Sequence, residues 1–357
     1  MVTIQFSSWG SESELRILKP ILIDFEKDNP DIKVEFLHIP QNYFQKLHLL
    51  FASNTAPDVL FINNQYLPVY ANAGVLESLD EYGFEFSDYY DKSVDALSWE
   101  GNNYGIPRDM SNLVIYYNKD IFDYVRIPYP NNNWTVEEFL SIARGITKNS
   151  EMFGVSFEDE PLYYLPYLTT FGAFDFENFN DSKMQKGLNF YADLRGKYHV
   201  APRKEEAASA TMAQMFLQGK LGMYLSGRWM VPKFREEAKF DWDVAEFPKN
   251  GAGSVIPLDA SGWAVAKSSK HKPQAVKLIK YLASKESSEK FAQSGLIVPA
   301  RIEVANSVYF LDGKNPKNAR VFLTSAQNAI PTPAGIHFRE VLDNLKIKTE
   351  YMFNNKK

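Results

Sequence analysis

The chain has no cysteine in 357 residues. That excludes disulfide bridges, thiolate metal sites and a cysteine nucleophile within these residues, and it leaves the compartment open. Its five histidines (His38, His48, His199, His271 and His337) never fall at a metal-ligand spacing, so a zinc site is not expected. No apolar run reaches the length of a membrane-spanning helix. Met1 leads straight into VTIQF with no signal peptide, as in a cytosolic protein or a mature domain whose targeting segment has been removed. The net charge of -5 argues against nucleic acid or a polybasic membrane contact. Phosphate-binding and nucleophile motifs are missing as well. There is no G-x-G-x-x-G after the first strand, no Walker loop and no G-x-S-x-G elbow. No cofactor is therefore expected.

What the chain does have is aromatic side chains, at 15% of residues, including 26 Phe, 20 Tyr and 6 Trp. Most must fill cores. Others can line a cleft, because Trp and Tyr offer rigid amphipathic surface at low entropy cost. A length of 357 residues suggests two domains, each able to bury a real core.

Hydrophobic periodicity predicts a β-α-β-α-β start. Val2–Trp9 and Ile32–His38 read as strands, as does VLFI at Val59–Ile62. Helices fall at Glu14–Asp28, stopped by Asn29-Pro30, and at Gln41–Ser53. This order is typical of a parallel sheet covered by helices. Further along, WTVEEF carries a capping box from Thr135 to Glu138. Strands are predicted at Phe153–Phe157, Leu221–Leu225, Trp242–Phe247 and Gly262–Lys267. Helices are predicted at Met184–Tyr198, Met212–Gln218 and Pro273–Ala283, with a last one from Ile336 toward Tyr351.

One segment, GIPRDMSNLVIYYNK (Gly105–Lys119), divides into two parts. LVIYY reads as a buried strand. Before it, Arg108, Asp109, Ser111 and Asn112 crowd into what reads as a polar loop opened by Gly105 and Pro107, a candidate hinge. The acidic run Glu158-Asp159-Glu160 can supply a glycosidase carboxylate, but before Pro161 it reads more simply as a solvated turn.

A resemblance joins these segments. SSWGSESE (Ser7–Glu14) and FEKDNPDIKVEF (Phe25–Phe36) resemble the N-terminal region of bacterial extracellular solute-binding proteins of the sugar-binding, maltose-binding-like type. In order there follow APDVLFINN (Ala56–Asn64), GVLESLDEY (Gly74–Tyr82), YGIPRD (Tyr104–Asp109), IYYNKDIF (Ile115–Phe122) and WTVEEF (Trp134–Phe139). GKLGMYLSGRWM (Gly219–Met230), SGWAVAKSSKHKPQAVKLIKYL (Ser261–Leu282) and LIVPAR (Leu296–Arg301) complete the series. Any one of these is weak; the ordered set is specific.

The resemblance implies an α/β fold of two lobes, each a mostly parallel sheet flanked by helices. The N-lobe would hold residues 1-109 plus 258-308 and the C-lobe 110-257 plus 309-357, with a hinge between them and ligand in the cleft. It implies a non-enzymatic, monomeric component of an ABC importer, periplasmic or anchored outside the membrane. That component would pass a mono- or oligosaccharide to transmembrane permease subunits by closing its lobes. An anionic solute, such as a glycerol-phosphate ester or uronate, and a glycoside hydrolase are the alternatives. The family usually continues with a further helix where TEYMFNNKK stops.

Candidate ligand residues follow from chemistry and from position in the resemblance. Sugars present hydroxyls at the rim and apolar C–H faces, so rings can cover a face while planar polar groups read hydroxyls. Trp9 ends the first strand, where open α/β sheets face their crevice, and Ser11 follows it. Gly227, Arg228 and Trp229 form the Gly-x-Trp turn. Gly262 and Trp263 lie on the returning strand, where Trp263 can equally pack a hinge. Asn63, Asn64 and Gln65 follow a buried strand. Asp109 is expected to accept two hydroxyls while Arg108 holds it in place. Tyr163 adds second-lobe surface. Arg301 sits in the late Pro-x-Arg motif, and Phe338 stands where the family often has tryptophan.

Overall fold

A computed structural model describes residues 1–148, 151–251 and 254–355. The chain forms two compact units. The first comprises Met1–Ser111, Asp259–Asp312 and Pro331–His337; the second comprises Asn112–Leu258, Gly313–Ile330 and Phe338–Lys357. Its strands are β1 (Val2–Ser8), β2 (Ile32–His38), β3 (Val59–Asn63), β4 (Ser98–Trp99), β5 (Asn102–Asn103) and β6 (Ile106–Ser111). They continue as β7 (Val114–Asn118), β8 (Phe153–Val155), β9 (Leu221–Ser226), β10 (Trp242–Ala245), β11 (Pro257–Val265) and β12 (Val298–Pro299).

In the first unit the main sheet runs β12-β6-β11-β3-β1-β2. β1 pairs in parallel with β2 and β3, as the β-α-β-α-β reading requires. β11 re-enters between β3 and β6 and is antiparallel to both. The sheet is therefore mixed, where a mostly parallel one was expected. The second unit's sheet, β10-β7-β9-β8, departs further, since only β8 and β9 are parallel. The α/β class stands; strand direction was misjudged because chain re-entry is a long-range event that leaves no local pattern.

The helix Glu12–Asp28 buries Leu15, Leu18, Ile21, Leu22 and Phe25 on one stripe. It stops where predicted: the Asn29 side chain donates to the Phe25 carbonyl (2.8 Å) and Pro30 cannot continue the helix. From this helix Phe25 meets Tyr281 edge-on at 5.3 Å, and on the sheet Phe6 and Phe61 each meet the Trp263 ring edge-on, at 5.5 and 5.9 Å. In the second unit Tyr116, Phe234 and Trp242 form the matching centre, at 5.2 to 5.7 Å. Trp134 and Trp242 are fully buried. The capping box before the helix Val136–Ile146 is formed on both sides, by Glu138 N to Thr135 Oγ1 (3.2 Å) and by Thr135 N to Glu138 Oε2 (2.7 Å). The last helix spans Phe338–Asn355. No helix among the described residues is long and apolar enough to cross a membrane.

Candidate functional site

In the first unit, strand register brings several predicted residues to one edge. Ser7 of β1 lies level with Leu60 of β3, and Ser261 of β11 lies level with both Asn63 and Asp109. The carboxyl ends of β1, β3 and β6 and the start of β11 therefore share an edge, where open α/β sheets hold ligands. Trp9 leaves β1 there. Its ring is 39% exposed and stacks on Phe61 at 5.3 Å, with Phe44 at 6.1 Å. Phe44 in turn lies flat on Tyr66 at 3.9 Å. An exposed indole backed by three rings is a rigid apolar shelf that loses little entropy on contact. Ser11 sits exposed beside it as the helix N-cap residue, with no capping bond from its side chain.

Polar groups crowd the same edge. Asn64 Nδ2 and Gln65 Nε2 donate to the two carboxylate oxygens of Asp259, at 2.9 and 3.1 Å. Asn64 Oδ1 accepts from Ala260 N, and Asn63 Oδ1 accepts from Tyr66 N, both at 3.2 Å. Asp259, which sequence reasoning missed, thus fixes two of the predicted side chains while its oxygens keep further lone pairs.

The structure changes the role of Arg108 and Asp109. They lie on strand β6, not in a loop, and both are buried. Arg108 Nε donates to Asp109 Oδ2 at 2.5 Å, and a second guanidinium nitrogen pairs with Glu14. The guanidinium lies 5.0 to 5.4 Å from the ring centres of Phe61, Trp263 and Phe291. Burial alone would pull its pKa down, but Asp109 and then Glu14 outweigh that and raise it. Asp109 Oδ1 accepts from Ser261 Oγ at 2.8 Å. With both carboxylate oxygens engaged and the side chain buried, Asp109 acts first as an internal anchor, contrary to the expectation that it offers two free acceptors. Glu14 was missed although a signal existed: it lies four residues before Leu18 on the apolar stripe, and a carboxylate there requires a buried cation.

Other first-unit candidates lie elsewhere. The Trp263 ring is fully buried in the core. Gly262 sits at a register shift in β11, where a side chain would strike the Ile106 carbonyl, so its smallness serves strand packing. Arg301 is tied to Asp88 (2.7 Å), the Tyr89 hydroxyl (2.9 Å) and the Ala283 carbonyl (3.0 Å). Because β12 runs antiparallel to β6, Arg301 continues away from the edge that holds Trp9.

In the second unit the carboxyl ends of β8 and β9 lie together, and β7 begins beside them with Val114 opposite Ser226. Gly227, Arg228 and Trp229 follow β9. The Trp229 ring folds back over Gly227 so closely that a Cβ there would lie 2.0 Å from it, which explains the glycine. The Gly227 carbonyl accepts from the Tyr116 hydroxyl at 2.8 Å. Trp229 is half-buried, whereas Arg228 is buried with its guanidinium 5.2 Å from the Phe322 ring. Tyr163 is half-buried beside Tyr224 and Ser226. Phe338 is buried at the start of the last helix, not on a surface. Glu158 departs from the solvated-turn reading: it is half-buried, and burial followed by the Asp159 charge pushes its carboxyl up to about 7. Among the described residues no cluster of three or more acidic or histidine side chains could hold a metal.

Comparison with known proteins fits this arrangement. Residues 21–317 match the family model of bacterial extracellular solute-binding proteins. The chain is 23% identical to the galactooligosaccharide-binding protein of Bacillus subtilis, over 91% of this chain and 79% of that one. It is 23% identical to the maltodextrin-binding protein of the same organism, over 90% and 78%. Among solved structures, an ABC substrate-binding protein from Listeria monocytogenes in complex with cycloalternan superposes with a TM-score of 0.88. It shares 26% identity, with 99% of this chain and 94% of that one covered.

Proposed function

Because the chain belongs to the bacterial extracellular solute-binding protein family, we propose that it captures a neutral mono- or oligosaccharide for an ABC importer. The observation that carries this reading is the first unit's edge, where an exposed indole shelf adjoins planar carboxamides fixed by Asp259. A ring for the sugar's C–H face beside oriented amides for its hydroxyls is the chemistry a saccharide needs. The sugar-binding relatives support the same ligand class. Release to transmembrane permease subunits after hinge closure, action as a monomer, and a periplasmic or membrane-anchored location complete the proposal.

Of the three arginines that would suit the anionic alternative, Arg108, Arg228 and Arg301, two are already committed. Arg108 is neutralised by Glu14 and Asp109, and Arg301 is held by Asp88, so neither offers a free fork to a phosphate or carboxylate. Membership of a family of solute-binding proteins sets the glycoside hydrolase aside. Isothermal titration against maltotriose, a galactooligosaccharide, a uronate and a glycerol-phosphate ester tests the reading. Heat from a neutral sugar is expected. Heat from the anions alone would overturn it.

A further inference from the structure

The backbone ladder between β1 and β2 ends just before the Trp9 shelf. Ser8 lies level with His38, and Ile39 N donates to the Ser8 carbonyl at 3.0 Å. Beyond that rung the chain turns through Trp9 and Gly10 into the helix Glu12–Asp28. Gly10 stands at φ +120°, a conformation that residues with a side chain rarely adopt. A glycine there lets the turn form but does nothing to hold it, since glycine has the widest backbone freedom of any residue. The helix start adds no hold, because the Ser11 side chain makes no capping bond. An indole that meets its ligand in one orientation therefore needs its turn fixed by other groups.

Two side chains close on Gly10. From β2, His38 Nε2 lies 2.9 Å from the Gly10 carbonyl oxygen. A carbonyl only accepts, so this nitrogen carries the proton and donates. The bond does for Gly10 what Ile39 N does for Ser8: it extends the β1–β2 pairing past the end of the backbone ladder. The imidazole is itself seated. It is half-buried and stacks on the Phe36 ring at 6.2 Å, and Phe36 stacks on the buried Phe6 at 5.3 Å. From the helix, Glu14 packs on the Gly10 backbone so closely that a Cβ there would lie 2.6 Å from its Oε2. Glu14 is not free to swing away, because Arg108 holds its other oxygen.

We propose that His38 is a positioning residue for saccharide capture. It touches no ligand; it holds the Gly10 carbonyl so that the Trp9 indole stays stacked on Phe61. The proposal rests on the saccharide reading, in which Trp9 covers a C–H face of the sugar. A ring already held in its binding orientation loses less freedom when the ligand arrives. Without the imidazole donor the turn samples the other conformations open to glycine, and part of the binding energy is lost to ordering it. Two consequences separate this role from packing. The effect on affinity runs through Trp9, so it vanishes when the indole is absent. It also needs a donor at the Nε2 position and not an aromatic ring, so the side-chain amide of glutamine can replace it.

The test titrates maltotriose and a galactooligosaccharide into the full chain, into His38→Leu, His38→Gln and Trp9→Ala, and into the double variant Trp9→Ala, His38→Leu, with unliganded melting curves alongside. His38→Leu should lose about three- to fivefold in affinity for the tighter sugar, the equivalent of one hydrogen bond. That loss should not exceed the loss in Trp9→Ala. His38→Gln should bind within about twofold of wild type. In the Trp9→Ala background His38→Leu should shift affinity by less than about 1.5-fold, because the two residues act as one unit. Wild-type affinity in His38→Leu would overturn the proposal while leaving the saccharide reading intact. So would a loss that persists undiminished in the Trp9→Ala background, or one that His38→Gln does not restore. An unliganded His38→Leu chain that melts more than about 5 °C below wild type would also overturn it, since the imidazole would then hold the fold and not the turn. A wild type that binds neither sugar would overturn both.

Discussion

Replacing Arg108 with methionine isolates the anchor of the first unit. Methionine fills similar space and keeps contact with Phe61, Trp263 and Phe291, but it removes the cation. The Arg108 side chain is 7% exposed, and those of Glu14 and Asp109 are 9% exposed. Two carboxylates are then stranded in an interior that water hardly reaches. Breaking a buried pair in this way costs about 3–5 kcal/mol, a large part of the roughly 5–15 kcal/mol that holds a domain together. The cost has a sign in pH. A stranded carboxyl has a folded pKa above its unfolded value, so its contribution to stability is fully present at low pH and is lost as pH rises through the folded value. Urea unfolding followed by tryptophan fluorescence should therefore show Arg108→Met much weaker than wild type at pH 8 and closer to it at pH 5. The triple variant Glu14→Gln, Arg108→Met, Asp109→Asn, which carries no stranded charge, should recover most of the loss. A loss under about 1 kcal/mol at both pH values, or one identical at both, would refute the view that Arg108 neutralises two buried carboxylates.

Three further outcomes are expected. Trp9→Ala should weaken sugar binding roughly five- to tenfold while changing unliganded stability by less than about 0.5 kcal/mol, since the ring is a shelf and not a core residue; titration calorimetry and urea melts check the two halves. Unliganded Glu158→Gln should be more stable than wild type at pH 8 and equal to it near pH 4. The raised carboxyl of Glu158 favours its neutral form, so what it contributes is present at low pH and lost as pH rises through about 7; thermal melts at the two pH values read this directly. Thr135→Ala should cost about 1 kcal/mol through the lost capping box, measured by urea unfolding, with sugar affinity unchanged.

Much of the fold was legible because it is written in local pattern. Alternation located β1 and β2, the leucine spacing located the helix Glu12–Asp28, and Asn29-Pro30 ended it on time. Thr135 and Glu138 announced their cap. The direction of β11 had no such signature, since it depends on where a distant segment returns to the sheet. The site shows the same division. Trp9 and Asn64 follow strand ends, which the local pattern locates, and the fold sets Trp9 on Phe61 and Asn64 on Asp259. Arg108 and Asp109 were noticed as a polar pair, but the sequence distance to Glu14 hid the partner that makes them interior. Glu158 looked like one acid among three in a solvated turn. It is half-buried with the Tyr191 hydroxyl bonded to its backbone, a contact that only the folded unit brings to it. Arg301 stood out only through its motif, because its partner Asp88 lies far back in the chain.

The most direct test of the account is a crystal structure of the chain with the neutral sugar that binds it most tightly in the titration panel. The account predicts the Trp9 indole against a C–H face of a pyranose ring, with the Asn64 or Gln65 carboxamide bonded to a sugar hydroxyl. A sugar bound away from Trp9 and these carboxamides, or an anionic ligand paired with Arg228, would contradict it.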